Sequence, residues 1–204
     1  MIQNIVTSII LYSGTAVDLL IILMLFFAKR KSRKDIINIY LGQFLGSVSL
    51  ILLSLLFAFV LNYIPSKEIL GLLGLIPIFL GLKVLLLGDS DGEAIAKDGL
   101  RKDNKNLIFL VAMITFASCG ADNIGVFVPY FTTLNLANLI VALFTFLVMI
   151  YLLVFSAQKL AQVPSVGETL EKYSRWFIAV VYLGLGMYIL IENNSFDMLR
   201  AVLG

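Results

Sequence analysis

FASCGADNIGVFVPYF, residues 116–131, lies in an apolar run over 107–131, yet it holds Cys119, Asp122 and Asn123. About 20 mostly apolar residues suffice to cross a bilayer as a helix. A charged side chain at the centre of such a helix costs about 2.5–3.5 kcal/mol even on a lenient insertion scale. The stretch therefore reads as a membrane span that carries an acid for a reason.

A second stretch gives it a partner. GTAVDLLIIL (14–23) aligns without a gap on SCGADNIGVF (118–127), so Asp18 falls on Asp122 and Thr15 on Cys119. FLGLK (79–83) aligns in the same way on YLGLG (182–186). These matches predict two related halves within one transmembrane domain over 1–204. The first repeat covers about 4–88, a cytoplasmic connector about 89–106, and the second repeat about 107–193. Spans are expected at 4–28, 37–62, 69–88, 107–131, 136–160 and 175–193. With three spans per half, the second half enters the membrane from the opposite side. The expected fold is an all-α polytopic membrane protein with six transmembrane helices as two inverted three-helix repeats. Many secondary transporters follow this plan, with substrate sites near the midplane between the repeats. It puts Asp18 and Asp122 at similar depth, facing one another across the pseudo-axis.

Composition agrees with a membrane chain. The 204 residues are 60% hydrophobic and 14% charged, with a mean hydropathy of +1.00; soluble domains carry about a quarter charged residues. All 15 Lys and Arg except Lys67, Lys83 and Arg200 fall in or beside the first, third and fifth loops. The positive-inside rule then puts those loops in the cytoplasm and both termini outside. The first apolar run begins almost at Met1 without a basic leading segment, so it is read as a span and not a cleaved signal. The connector GDSDGEAIAKDGLRKDNKN (88–106) is rich in Asp and Gly but lacks the ligand order of a calcium loop, and reads as a flexible linker.

Of the 13 acids, Asp18 and Asp122 alone lie deep in spans. Residues three and four apart share a helix face, so Cys119, Asp122 and Asn123 project together, flanked by Ser118, and Thr15 projects with Asp18. Together they offer two carboxylates, a thiol, an amide carbonyl and hydroxyls. Two carboxylates neutralise a divalent ion, and a thiolate favours a soft one such as cadmium or zinc. The expected metal ligands are Asp18, Cys119, Asp122 and Asn123, with Thr15 and Ser118 in support. Asp18 and Asp122 also carry the coupling protons. The plainer readings are a cysteine acting as a small hydrophobe and acids that merely bond a neighbouring helix. Gly14, Gly120, Gly125, Gly81, Gly184 and Gly186 read as close-packing positions, with Gly120 and Gly125 alternatively loosening their helix. Pro77 and Pro129 are expected to kink their spans. Met24, Met113, Met149 and Met187 read as packing or lipid-facing residues. Tyr130, Tyr173, Trp176 and Tyr188 read as interfacial anchors.

Enzymatic readings fit poorly. With no histidine and one cysteine, the chain has neither a Ser-His-Asp or Cys-His device nor a dithiol pair. CGAD around Asp122 departs from the G-x-G-D of intramembrane aspartyl proteases. No phosphate-binding G-x-x-x-x-G-K-[ST] run is present, so the energy for transport is expected from the proton gradient.

GTAVDLLIIL, IYLGQFLG (39–46), LIPIFLGLK (75–83) and FASCGADNIGVFVPYF resemble the cadmium resistance transporter (CadD-type) family of the lysine-exporter (LysE) superfamily, over nearly the whole chain. The resemblance implies export of cadmium across the bacterial plasma membrane, conferring heavy-metal resistance, with Asp18, Cys119, Asp122 and Asn123 at matching positions. The residues themselves reach only a soft divalent cation, and leave cadmium against zinc open. The expected function is a secondary cation antiporter exporting cadmium or zinc, with no resident cofactor and no enzymatic activity. Its partners are the metal ion and the lipid bilayer, without nucleic acid, and a homo-oligomer is left open. The alternative is export of an amino acid or other small cationic solute, in which the carboxylates meet an amine.

Overall fold

Helix starts carry their chemical marks. Ser32 N donates to Asp35 Oδ2 at 2.9 Å, and Asp35 N donates to Ser32 Oγ at 3.2 Å. This reciprocal box satisfies two otherwise orphaned N–H groups, and it opens a helix inside the basic stretch read as a loop. Asn106 Oδ1 accepts from Phe109 N at 3.3 Å, and Asn135 Oδ1 from Asn138 N at 2.9 Å, capping two more.

In the computed structural model, residues 2–30, 32–61, 70–87, 106–193 and 195 are described, those at 164–172 by backbone only. The helices are α1 (Ile2–Ala28), α2 (Arg33–Leu61), α3 (Leu75–Leu87, preceded by a 3₁₀ turn at Leu72–Gly74), α4 (Leu107–Thr132), α5 (Leu136–Leu160) and α6 (Pro164–Glu192). No strand occurs among the described residues. Five helices are long and apolar enough to cross a membrane: α1, α2, α4, α5 and the Tyr173–Glu192 part of α6. The Leu72–Leu87 segment is shorter. At 1.5 and 2.0 Å per residue it extends roughly 26 Å, a little less than the roughly 30 Å hydrocarbon core.

Two boundaries move. α6 begins at Pro164, so most of the stretch 161–174 read as a loop is helical. Proline at the first helical position is preset for a helix and lacks only an N–H that would be unpaired there anyway. Gly120 and Gly125 do not interrupt α4, which is continuous through both. The loop 62–68, the connector up to residue 105 and the C-terminal stretch from 196 lie outside the described residues.

Small residues decide which helices meet. A Cβ added at Gly42 would lie 2.6 Å from the Ile108 carbonyl oxygen, and one at Gly46 2.8 Å from Thr115 Cβ. Gly42-x-x-x-Gly46 thus brings α2 against α4 at backbone distance. A Cβ at Gly74 would lie 2.7 Å from the Gly186 carbonyl oxygen, and one at Gly81 3.1 Å from Leu183 Cγ, so α3 packs on α6. Gly14 admits Val181, joining α1 to α6. α1 lies along α5: Asn4 Nδ2 donates to Asn138 O at 3.1 Å, and the Tyr12 and Phe146 rings stand 5.4 Å apart.

Contact numbering rises together along α1 and α5 and along α2 and α4, so both pairs run parallel. It runs in opposite senses along α3 and α6. The outward faces carry Phe44, Phe57, Phe59, Phe79, Phe144 and Phe155, all exposed, as lipid-facing surface requires. Tyr173 and Trp176 are exposed too, whereas Tyr130 is not an anchor. It is 1% exposed, and its hydroxyl is 2.8 Å from Ser8 Oγ.

Candidate functional site

α1 and α4 cross in opposite senses. Ser8 meets Tyr130, the Tyr12 ring stacks 6.4 Å from Phe127, and Thr15 and Asn123 line one cavity. Continuing that register sets Asp18 level with residue 120 and Asp122 level with residue 16. The two acids are therefore offset along the bundle by about two residues, or ~3 Å. Each is half-buried, on the margin of the face that its helix turns inward.

The cavity between α1, α2 and α4 is lined by Tyr12, Thr15, Leu19, Ser47, Leu50, Asn123 and Phe127. It is too narrow to admit a water-sized sphere. Asn123 is 4% exposed, and its Oδ1 has no hydrogen-bond partner. Tyr12 Oη is equally buried; it lies towards Ser47 and Cys119 but makes no hydrogen bond of good geometry. Below the cavity runs a polar ladder. Thr115 Oγ1 donates to Gln43 Oε1 at 2.6 Å, and Gln43 Nε2 donates to Ser47 Oγ at 2.8 Å. Above it, Tyr12, Phe127, Phe131 and Phe146 pack ring on ring, with centroids 4.8 Å apart for Phe127 and Phe146.

The residues singled out from the sequence divide accordingly. Thr15 and Asn123 line the cavity. Cys119 is buried beside it, its thiol 3.8 Å from Ser118 Oγ. Ser118 bonds back to the Ile114 carbonyl within its own helix, so its proton is committed away from the cavity. Among the described residues no three of Asp, Glu and Cys are drawn together closely enough to hold a metal ion, so Asp18, Cys119 and Asp122 do not form one cage in this conformation. Met113 and Met187 face outward and Met24 is in the core. The inward polar residues Tyr12, Gln43, Ser47 and Thr115 were not singled out. Their signal is present in the sequence: Gln43 and Ser47 are one turn apart within an apolar span, where an unpaired amide is costly.

Helices of this length and hydropathy, greasy outside and holding a buried polar seam inside, define a multi-pass integral membrane protein. The family model described as cadmium resistance transporter matches residues 12–202, and the chain belongs to that family. No curated protein and no solved structure matches it.

Proposed function

We propose that the chain exports cadmium from the cytoplasm in exchange for protons, with zinc as a second cargo, and that Asp18, Cys119, Asp122 and Asn123 bind the ion. The observation that carries this reading, beside the family, is the orphaned Asn123 Oδ1 in a cavity flanked at nearly one depth by two intramembrane acids. Acids at such depth belong to ion pathways and proton relays. Metal ligands must be deprotonated, so ion and protons compete for the same groups.

The packing supports the inverted repeat. Exchanging α1 with α4, α2 with α5 and α3 with α6 turns the α1–α5 pair into the α4–α2 pair and returns α3–α6 to itself. With the basic loops in the cytoplasm, both termini lie outside the cell. The same pairing makes the moving units cross-repeat pairs, α1 with α5 and α2 with α4, joined along α3 and α6. Sliding of these pairs opens the acids to the cytoplasm, while the Tyr12–Phe127–Phe131–Phe146 cluster bars the outer side; the reverse motion parts the rings, and protons from outside displace the ion.

The test is transport in sealed vesicles. Wild type carries out cadmium-stimulated proton flux, and Asp18→Asn and Asp122→Asn each abolish it. Retention of that flux in both variants sinks the mechanism.

A further inference from the structure

Hydrogen bonds around the cavity decide what it offers a guest. Thr15 Oγ1 donates to the Tyr12 carbonyl at 3.1 Å, so its lone pairs remain for the cavity. Ser47 Oγ receives the Gln43 amide, whose other end is held by Thr115. The Gln43 carboxamide is thereby fixed from both sides and sets the position of the Ser47 oxygen. Asn123 contributes a buried carbonyl oxygen with no donor, and such an atom is seldom left unmatched in a native interior. The remaining wall is Leu19, Leu50 and Phe127.

Thr15, Ser47 and Asn123 thus bring acceptor oxygens to one cavity, where Asn123 Oδ1 and Tyr12 Oη are both unpartnered. An anion would meet lone pairs, whereas a cation meets ligands. The space excludes a water-sized sphere, so a hydrated ion does not fit unless the helices move. The oxygens are neutral; the acids beside them in the chain are Asp18, one turn beyond Thr15, and Asp122, next to Asn123, both half-buried.

We propose that the exported divalent ion enters this cavity dehydrated, with Ser47 Oγ and Tyr12 Oη joining Thr15 and Asn123 as oxygen ligands beside the carboxylates. The inference rests on the reading of the chain as a metal carrier and deepens it. It makes α2 a contributor to the site and gives Gln43 and Thr115 the role of positioning residues. Because Ser47 and Asn123 travel together on the α2–α4 pair while Tyr12 and Thr15 travel on α1, sliding of the pairs separates the ligands as the ion leaves.

The experiment is cadmium binding to the purified full chain in lipid nanodiscs under reducing conditions, by competition with a chromophoric chelator. Ser47→Ala is expected to weaken cadmium binding about tenfold, the scale on which outer positions of metal sites act. Ser47→Cys puts a soft donor at the same place and is expected to bind cadmium more tightly than wild type, with no gain for calcium. The comparison is repeated in the Cys119→Ser background, where the gain cannot come from a new pair of cysteines. Cadmium binding by Ser47→Cys no tighter than by wild type overturns the inference, whether or not Ser47→Ala folds. In that case loss of binding in Asp122→Asn leaves the carrier reading standing, whereas wild-type binding by Asp122→Asn removes both.

Discussion

Thr115 Oγ1 on α4 stands 2.6 Å from Gln43 Oε1 on α2, joining residues 72 positions apart inside the membrane. The same amide reaches Ser47 at 2.8 Å. Gln43→Leu removes both bonds and leaves the Thr115 hydroxyl buried and unpaired. Interhelical hydrogen bonds in membranes average about 0.6 kcal/mol, and an orphaned buried donor adds about 1–3 kcal/mol. The expected loss is about 1–3 kcal/mol, read from reversible unfolding in mixed micelles. An unchanged unfolding midpoint would show that the ladder does not hold α2 to α4.

Gly46 and Gly184 form a contrast pair. A Cβ at Gly46 meets Thr115 Cβ at 2.8 Å and the Ala112 carbonyl oxygen at 3.0 Å, whereas one at Gly184 meets nothing within 4 Å. Gly46→Ala is expected to destabilise the bundle by about 1–3 kcal/mol through overpacking. Gly184→Ala should be neutral or stabilising by up to about 1 kcal/mol, because alanine is the better helix former. Thermal unfolding of the two variants side by side decides the matter; equal stabilities would contradict the close α2–α4 approach.

Cys119 tests softness and the carboxylates test acidity. Cys119→Ser is expected to weaken cadmium binding by about tenfold or more, since a hydroxyl lacks the preference of a thiolate for soft ions. Export of a cationic amine, the alternative cargo, would be indifferent to it. Protonated carboxylates and thiols do not ligate, so cadmium affinity should rise with pH, by about tenfold per unit for each proton displaced. Binding curves that coincide from acid to neutral pH would exclude direct competition between metal and proton.

Orientation is open to chemical labelling in the Cys119→Ser background. Ser32→Cys, in the basic stretch before α2, should react with a membrane-impermeant maleimide only from the cytoplasmic side. Thr133→Cys, between α4 and α5, should react only from outside. The opposite pattern would invert the assignment that the charge distribution predicts.

Span positions were largely legible. The runs expected at 107–131 and 136–160 appear as Leu107–Thr132 and Leu136–Leu160. Hydropathy finds them because each residue contributes its transfer energy regardless of its partners. The early starts of α2 and α6 escaped because hydropathy ends where polarity begins, whereas a capped helix continues into the polar zone. In the site, Thr15 and Asn123 were legible from helical spacing next to an acid. Ser47 and Tyr12 were not, since the role of a hydroxyl in a span depends on what the neighbouring helix brings.

The sequence alone determined that this is a helical membrane chain, which runs form its long apolar helices, and that two acids lie within them, because the bilayer acts on each segment through its own composition. The tertiary structure alone decided that α2 packs on α4 and α1 on α5, that Gln43 holds Ser47, and that Asn123 opens onto a cavity while Ser118 turns back on its own helix. Those outcomes depend on which glycines face which backbones, a matter of fit between distant segments that no single stretch of sequence contains.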